Sequence, residues 1–190
     1  MSQYERIEED SARPGFVRFT SLDSRFPIAI SVPESLRSNL FYDMNDESNL
    51  VLKSGMSLGI TREDLGLLAD RNIWRAQEVV KGSKDMVWYT EESCKWWMRT
   101  GYSSAVRYKL SKSERESVQV GSGAHGFQAY NIVWQTSTGA EGLEVFFTRR
   151  PSDLVSSRPS GFVLWTIMIH PDRDLRPHWR TILSSFQWLD

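Results

Sequence analysis

Apolar and polar residues along this chain of 190 residues change period several times, and each period predicts an element. Val17 and Phe19 alternate with Phe16, Arg18 and Thr20, the period of two that a strand requires. The run from Phe26 to Val32, closed by Pro33, predicts a second strand, with Pro27 marking an edge or a sheet entry. Pro33 then opens a helical turn through Glu34, Leu36 and Leu40. From Thr61 the period lengthens. Leu65, Leu68, Ala69, Ile73, Ala76 and Val80 recur at helical spacing and predict a long helix over about 62–80. Thr61 and Asp64 have the spacing of a capping box, and Gly82 stands where a left-handed cap would end the helix.

Met86–Tyr89 predicts a short strand, and residues 91–99 a helical turn closed by Gly101. Tyr102 to Leu110 alternates and predicts a strand with one polar face. The remainder predicts a meander of three strands: Phe127–Thr136, Leu143–Arg150 and Phe162–Ile169. The last is apolar on both faces, so it belongs at the centre of a sheet covered on both sides. Asp174 caps a closing helix over about 174–186. Its buried stripe is Leu175, Trp179, Ile182, Leu183 and Phe186, and Pro177 falls in its first turn, where a missing N–H costs nothing. Sequential hairpins with two helices packed on them give an α+β class and a mostly antiparallel sheet. Residues 1–14 are polar and acidic up to Pro14 and predict a mobile arm. Residues 15–190 form one domain.

Composition adds an aromatic surplus: eight Trp, nine Phe and six Tyr. Rings of that size contribute heavily to a core, and Trp and Tyr also favour interfaces. The net charge of −1 gives no argument for nucleic acid, and none is expected as a partner. Charge is uneven, −5 over residues 1–94 and +4 over 95–190. One end of such a molecule could meet a charged partner, although chance placement on a solvated surface explains the same numbers. No apolar run approaches the ~18 residues of a membrane span. The first ten residues lack the basic and apolar regions of a leader. A cytoplasmic protein is expected as the sequence is written, or an exported or lipid-anchored one if a leader has been removed.

Candidate chemistry is sparse. Residues 121–126, Gly-Ser-Gly-Ala-His-Gly, spell the dinucleotide fingerprint, but the residues after it are strand formers where the fingerprint needs a helix. A glycine-rich hairpin connection is the expectation. His170, Asp172, Asp174 and His178 fit no standard metal spacing, and a helix cap explains the aspartates better. Cys94, the single cysteine, excludes an intramolecular disulfide. A reactive thiol would need Lys84 or Lys95 to lower its pKa and His125 to serve as its base, and a buried inert thiol is the plainer reading. No metal and no cofactor is expected. Trp96 and Trp97 are adjacent, and on a helix neighbours diverge by ~100°. One indole should therefore face solvent, and with Arg99 and Tyr102 it would make a partner-binding face. Burial of both rings is the competing reading.

The strands from Phe127, the apolar strand ending at His170-Pro171, and the closing Ile182-Leu183-Ser184-Ser185-Phe186 resemble the PsbP-like superfamily. That group includes an extrinsic photosystem II subunit, a Ran-binding nuclear import factor and DcrB-like proteins. The resemblance implies an α/β/α sandwich and a non-enzymatic accessory, chaperone or adaptor role. The leading expectation is thus a non-catalytic module that binds an unknown protein partner. The alternatives are a small-molecule binder, with Trp88, Trp134 and Trp165 lining its pocket, and a small enzyme. On this reading Trp179→Ala, or deletion of residues 179–190, abolishes folding. Deletion of residues 1–12 leaves the melting temperature unchanged.

Overall fold

The computed structural model describes residues 5–43, 51–54, 58–100, 108–110, 117–136, 139–170 and 175–189. The chain opens with β1 (Glu5–Glu9), β2 (Phe16–Ser21) and β3 (Ile28–Pro33). After a 3-10 turn at Glu34–Asn39 come β4 (Leu40–Asp43), β5 (Val51–Ser54) and β6 (Leu58–Asp64). Three helices follow: α1 (Leu65–Asp70), α2 (Trp74–Val80) and α3 (Met86–Thr100). Next are β7 (Tyr108–Leu110), β8 (Ser117–Val120), β9 (Phe127–Thr136) and β10 (Glu141–Phe147). The short α4 (Pro151–Leu154), β11 (Val163–Ile169), α5 (Trp179–Ser184) and β12 (Gln187–Trp188) complete the chain.

Every strand pairing is antiparallel. A small sheet has the order β1-β2-β3-β12, and a large one the order β4-β5-β6-β11-β10-β9, with β7 and β8 both lying along the outer edge of β9. The large sheet separates two cores. Val145, Phe147, Trp165 and Ile167 face the small sheet, while Ile132, Phe146 and Leu164 face α1, α2 and α3. This is the period-two alternation of strands covered on both sides. β11 runs between β6 and β10, the central position its apolar pattern predicts. The class is α+β, as expected. The second helical layer of an α/β/α sandwich is not what covers the other face: the small sheet lies there, with the six-residue α5 beside it.

Four expectations are corrected. Residues 5–9 of the supposed mobile arm form β1, paired with β2 from Glu5↔Ser21 to Glu9↔Val17. Asp10 behind it is buried and accepts from the Ser31 hydroxyl, from Arg13 Nη1 at 3.0 Å and from the Ala12 N–H at 3.0 Å. Burial pushes its carboxyl up, but those three donors outweigh it and leave the pKa below the usual value. The helix over 62–80 is instead a strand and two short helices. Leu58–Asp64 pairs with β11 over seven positions, and that ladder overrides local helical spacing. Asp64, not Thr61, caps α1, accepting from the Leu67 N–H at 3.2 Å. Asn72 breaks the run with φ +63°, a conformation Asn tolerates better than most residues. Gly82 does close α2 at φ +75°, and a Cβ there would lie 2.8 Å from the Ser157 carbonyl.

The third correction is Met86–Tyr89, which begins α3, because the Asp85 carboxylate accepts from the Trp88 N–H at 2.8 Å and starts a helix. The fourth is the closing helix. It is a 3-10 turn at Arg176–His178 and then α5, and Phe186 lies beyond its end. The Asp174 cap falls outside the described residues. α5 packs on β3 and on β8 of the large sheet, Ile182 and Leu183 share the inter-sheet core with Trp165 and Ile167 of β11, and the Gly121 N–H donates to the Leu183 carbonyl at 2.8 Å.

The segment after α5 ties the two sheets together. The Ser31 N–H donates to Ser185 Oγ at 2.8 Å, and Gln187 and Trp188 pair with Ala29 and Ile28. The Leu189 N–H donates to the Pro27 carbonyl at 2.8 Å. The Trp188 ring crosses into the inter-sheet core, edge-on to Trp165 at 5.2 Å, to Phe186 at 5.0 Å and to Phe147 at 6.0 Å. Such edge-to-face pairs add about 0.5–1.5 kcal/mol each beyond area burial. Phe186→Ala should therefore cost about 3–5 kcal/mol of unfolding free energy, measured by denaturant titration. Deletion of residues 1–12 should lower the melting temperature by several degrees, because it removes β1 and leaves the Ser31 hydroxyl without Asp10. An unchanged melting temperature would contradict the pairing of β1.

Candidate functional site

Of the predicted partner face, Trp96 lies on α3 and is 49% exposed. The side chains of Trp97 and Arg99, and Tyr102 altogether, fall outside what the structure describes. Trp96 has other neighbours instead. The Arg75 guanidinium lies over its ring at 5.4 Å and over Trp74 at 5.7 Å. Trp74, 53% exposed, meets Trp88 edge-on at 5.7 Å, and Lys84 lies 5.6 Å over Trp88. α2 and α3 thus carry a face of interleaved indoles and cations. Trp88 and Trp165 lie in different cores: Trp88 packs in the helical core, while Trp165, buried in the inter-sheet core, lines a cleft at the end of the two sheets; the Trp134 side chain is outside the description.

The fingerprint sequence forms a 3-10 turn at Gly123–His125 leading into β9, so no helix N-terminus faces it. His178 packs edge-on against Phe16 at 5.5 Å, and Asp172 is outside the described residues. Among the described residues, no group of three His, Cys, Asp or Glu could hold a metal ion. No helix among them is long and apolar enough to cross a membrane.

Beneath α3 lies a layer of half-buried acids. The Tyr89 hydroxyl donates to Glu63 of β6 at 3.0 Å, and the Cys94 thiol donates to Glu144 of β10 at 3.0 Å. Burial pushes the Glu63 carboxyl up against the lowering hydrogen bond from Tyr89. It pushes Glu144 up to about 7, with the thiol's hydrogen bond opposing and the Glu63 charge adding to the rise. Cys94 itself is raised, first by burial and then by Glu144 and Glu63. Lys84 stacks on Trp88 and Lys95 pairs with Glu92 at 2.7 Å. The half-buried thiol is therefore held protonated.

A third feature escaped the sequence reading. At one end of the molecule the two sheets open into a cleft of about 690 Å³, within the usual range for small-molecule pockets. Its walls carry Arg25, Arg62, Arg149 and Arg150 with Asp23 and Asp153. Arg25 clasps Asp23 through Nε and Nη2, at 3.0–3.1 and 2.7 Å. Asp153 accepts from the Ser160 N–H at 3.1 Å and from its hydroxyl at 2.7 Å, and Ser160 Oγ accepts from Arg150 at 2.9 Å. Ring contacts hold the arginines as well, with the Arg25 guanidinium carbon 5.4 Å from the Phe26 centroid. The Arg62 guanidinium carbon is 5.7 Å from the Phe26 centroid, and that of Arg149 is 4.7 Å from the Trp188 centroid. Among the described residues no carboxylate pairs with Arg62. The one local sequence signal was Arg149-Arg150 at the end of a strand. Compared with models of known protein families and with curated proteins, the chain matches none.

The acid layer generates a pH prediction. Glu144 in the folded protein titrates near 7 against a usual value of 4.5, so the folded state holds a proton that the unfolded state has released. Its contribution is fully present below about pH 4.5 and is lost as pH rises to about 7. Glu144→Gln should remove that slope. The unfolding free energy of the wild type relative to the variant should fall by on the order of 2–3 kcal/mol between pH 4.5 and 7. A difference that stays flat across that range would contradict the enclosed position of Glu144.

Proposed function

We propose that the protein is a non-catalytic binding protein whose arginine cleft takes a small, negatively charged ligand. The observation that carries this reading is Arg62, which lies within the cleft over the Phe26 ring and which no carboxylate among the described residues pairs. A contact with a ring takes up none of the guanidinium's N–H donors, so the fork that matches an oxyanion is left to a ligand at Arg62. Holding the fork in place before the ligand arrives reduces the ordering cost of binding. The cleft aspartates already have donors from Arg25 and Ser160. The single thiol is held protonated against a carboxylate and so offers no thiolate, which supports binding over thiol catalysis. This reading takes up the small-molecule alternative; of its three tryptophans Trp165 lines the cleft, and arginines supply the charged contacts. A PsbP-like accessory role is compatible with it.

A protein partner on the α2–α3 face is the second reading, favoured by the exposure of Trp74 and Trp96 on either side of Arg75. Crosslinking in the native cell should then lose a specific partner in the double variant Trp74→Ala, Trp96→Ala.

The cleft is tested by thermal shift against matched panels of anionic, neutral and cationic small molecules. An anionic ligand at 100 times its Kd should stabilise the fold by about 2.7 kcal/mol. Arg62→Gln should abolish that shift while melting normally without ligand. Equal responses to neutral and anionic compounds would overturn the reading.

A further inference from the structure

We infer that the ligand of this cleft is a small amphipathic monocarboxylate: one carboxylate held by Arg62, with an apolar body lying along the rim. The inference rests on the cleft being the ligand site and goes on to name the ligand's chemistry. The four arginines of the cleft are not equivalent. Asp23 holds Arg25 through both of its oxygens, with Nε at 3.0 Å and Nη2 at 2.7 Å. Arg150 donates to Ser160 Oγ at 2.9 Å, and that hydroxyl donates in turn to Asp153 at 2.7 Å. Arg149 lies over Trp188 and has a further interaction besides. Arg62 differs from all three: among the described residues it makes no hydrogen bond and no ion pair, and its ring contact with Phe26 uses no donor. A single guanidinium fork with its donors unused takes one planar carboxylate, through two parallel N–H···O bonds.

The cleft is also apolar. Large apolar side chains exposed to solvent are few in this fold, six among the described residues. Two of the six, Leu22 at 50% and Leu189 at 42%, line this one cleft. Apolar surface left in water at the edge of a cavity is what a ligand's hydrocarbon part would cover. Val163 and Trp165 of β11 line the cleft as well. Trp165 stands directly opposite Arg62 in the β6–β11 ladder, and Val163, two residues earlier, shares its face of the sheet. The open fork and the apolar wall are thus neighbours in one register, so the ligand must carry its charge beside its apolar part. A bare phosphate or a short dicarboxylate would leave the leucines uncovered. The volume of about 690 Å³ suits a small molecule.

The probes are octanoate, acetate, 1-octanol, succinate and inorganic phosphate, titrated calorimetrically at neutral pH, with octanoate kept below its micelle concentration. Octanoate should bind at least about tenfold more tightly than acetate, which lacks the body, and than 1-octanol, which lacks the charge. Arg62→Gln should weaken octanoate by about tenfold or more and leave 1-octanol unchanged, a split that general damage to the cleft would not produce. Leu22→Asn, at an exposed position, should weaken octanoate and 1-octanol alike, by about threefold or more. Val80→Ser, at an exposed apolar position of α2 outside the cleft, should bind octanoate as the wild type does. If Arg62→Gln does not fold, Leu22→Asn and the ratio of octanoate to 1-octanol affinity decide. Succinate or phosphate binding as tightly as octanoate would overturn the monocarboxylate and leave the anion cleft standing. Octanoate affinity unchanged by Arg62→Gln would overturn the role of Arg62. Binding of 1-octanol as tightly as octanoate, or of no anion at all, would overturn both this inference and the reading beneath it.

Discussion

Trp188 belongs to two sheets at once, and the rest of the molecule depends on that. Its backbone is the edge of the small sheet, opposite Ile28. Its ring is in the inter-sheet core, edge-on to Trp165 of the large sheet and to Phe147 beside it. A two-residue strand contributes little by its own ladder. It holds here because the ring is fixed by four aromatic neighbours, Phe127 and Phe186 completing the set. Burial of such rings is the strongest term available to a chain of this composition. The two sheets are therefore joined at their ends by side-chain packing at the C-terminus.

The cleft is a consequence of that joint. Where the aromatic cluster stops, the sheets diverge, and the space between them is lined by the loop after β2, the ends of β6 and β11, and the segment after β10. The outermost ring of the cluster carries Arg149 on its face. The residue that closes the core thus positions a charge at the mouth of the cleft. Packing and recognition meet at one indole, and ligand binding should feel any loosening of the C-terminal strand. The acid layer under α3 lies on the opposite face of the large sheet, in the other core. It ties α3 to β6 and β10 and contributes to stability rather than to the cleft.

How far the sequence revealed this fold depended on whether local pattern and tertiary pairing agreed. They agreed for β9, β10 and β11, where alternation, both-face apolarity and short connections all indicate antiparallel neighbours. They disagreed at Leu58–Asp64. That stretch can be read at either period, and only the seven-residue ladder with β11 decides for the strand. Met86–Tyr89 is rich in strand-forming residues, and a single carboxylate, Asp85, turns it into a helix. The acidic arm misled because β1 buries only part of its surface, so its charges could remain while its backbone paired with β2. The cleft was the least legible feature. Its residues come from positions 21–27, 62, 148–165 and 189, and apart from the Arg149-Arg150 pair no local pattern announces them. A stacked arginine looks like any other arginine until the ring beneath it is placed.

If Trp188 joins the sheets, loosening it must be felt in both. Native-state amide hydrogen exchange on Trp188→Ala reads this directly, because it reports opening free energies strand by strand. The amides of β3, from Ile28 to Val32, and those of β10, from Leu143 to Phe147, should lose protection together and by similar amounts. Loss confined to β3, with β10 as protected as in the wild type, would show that the small sheet can detach alone and that Trp188 is not the joint between them.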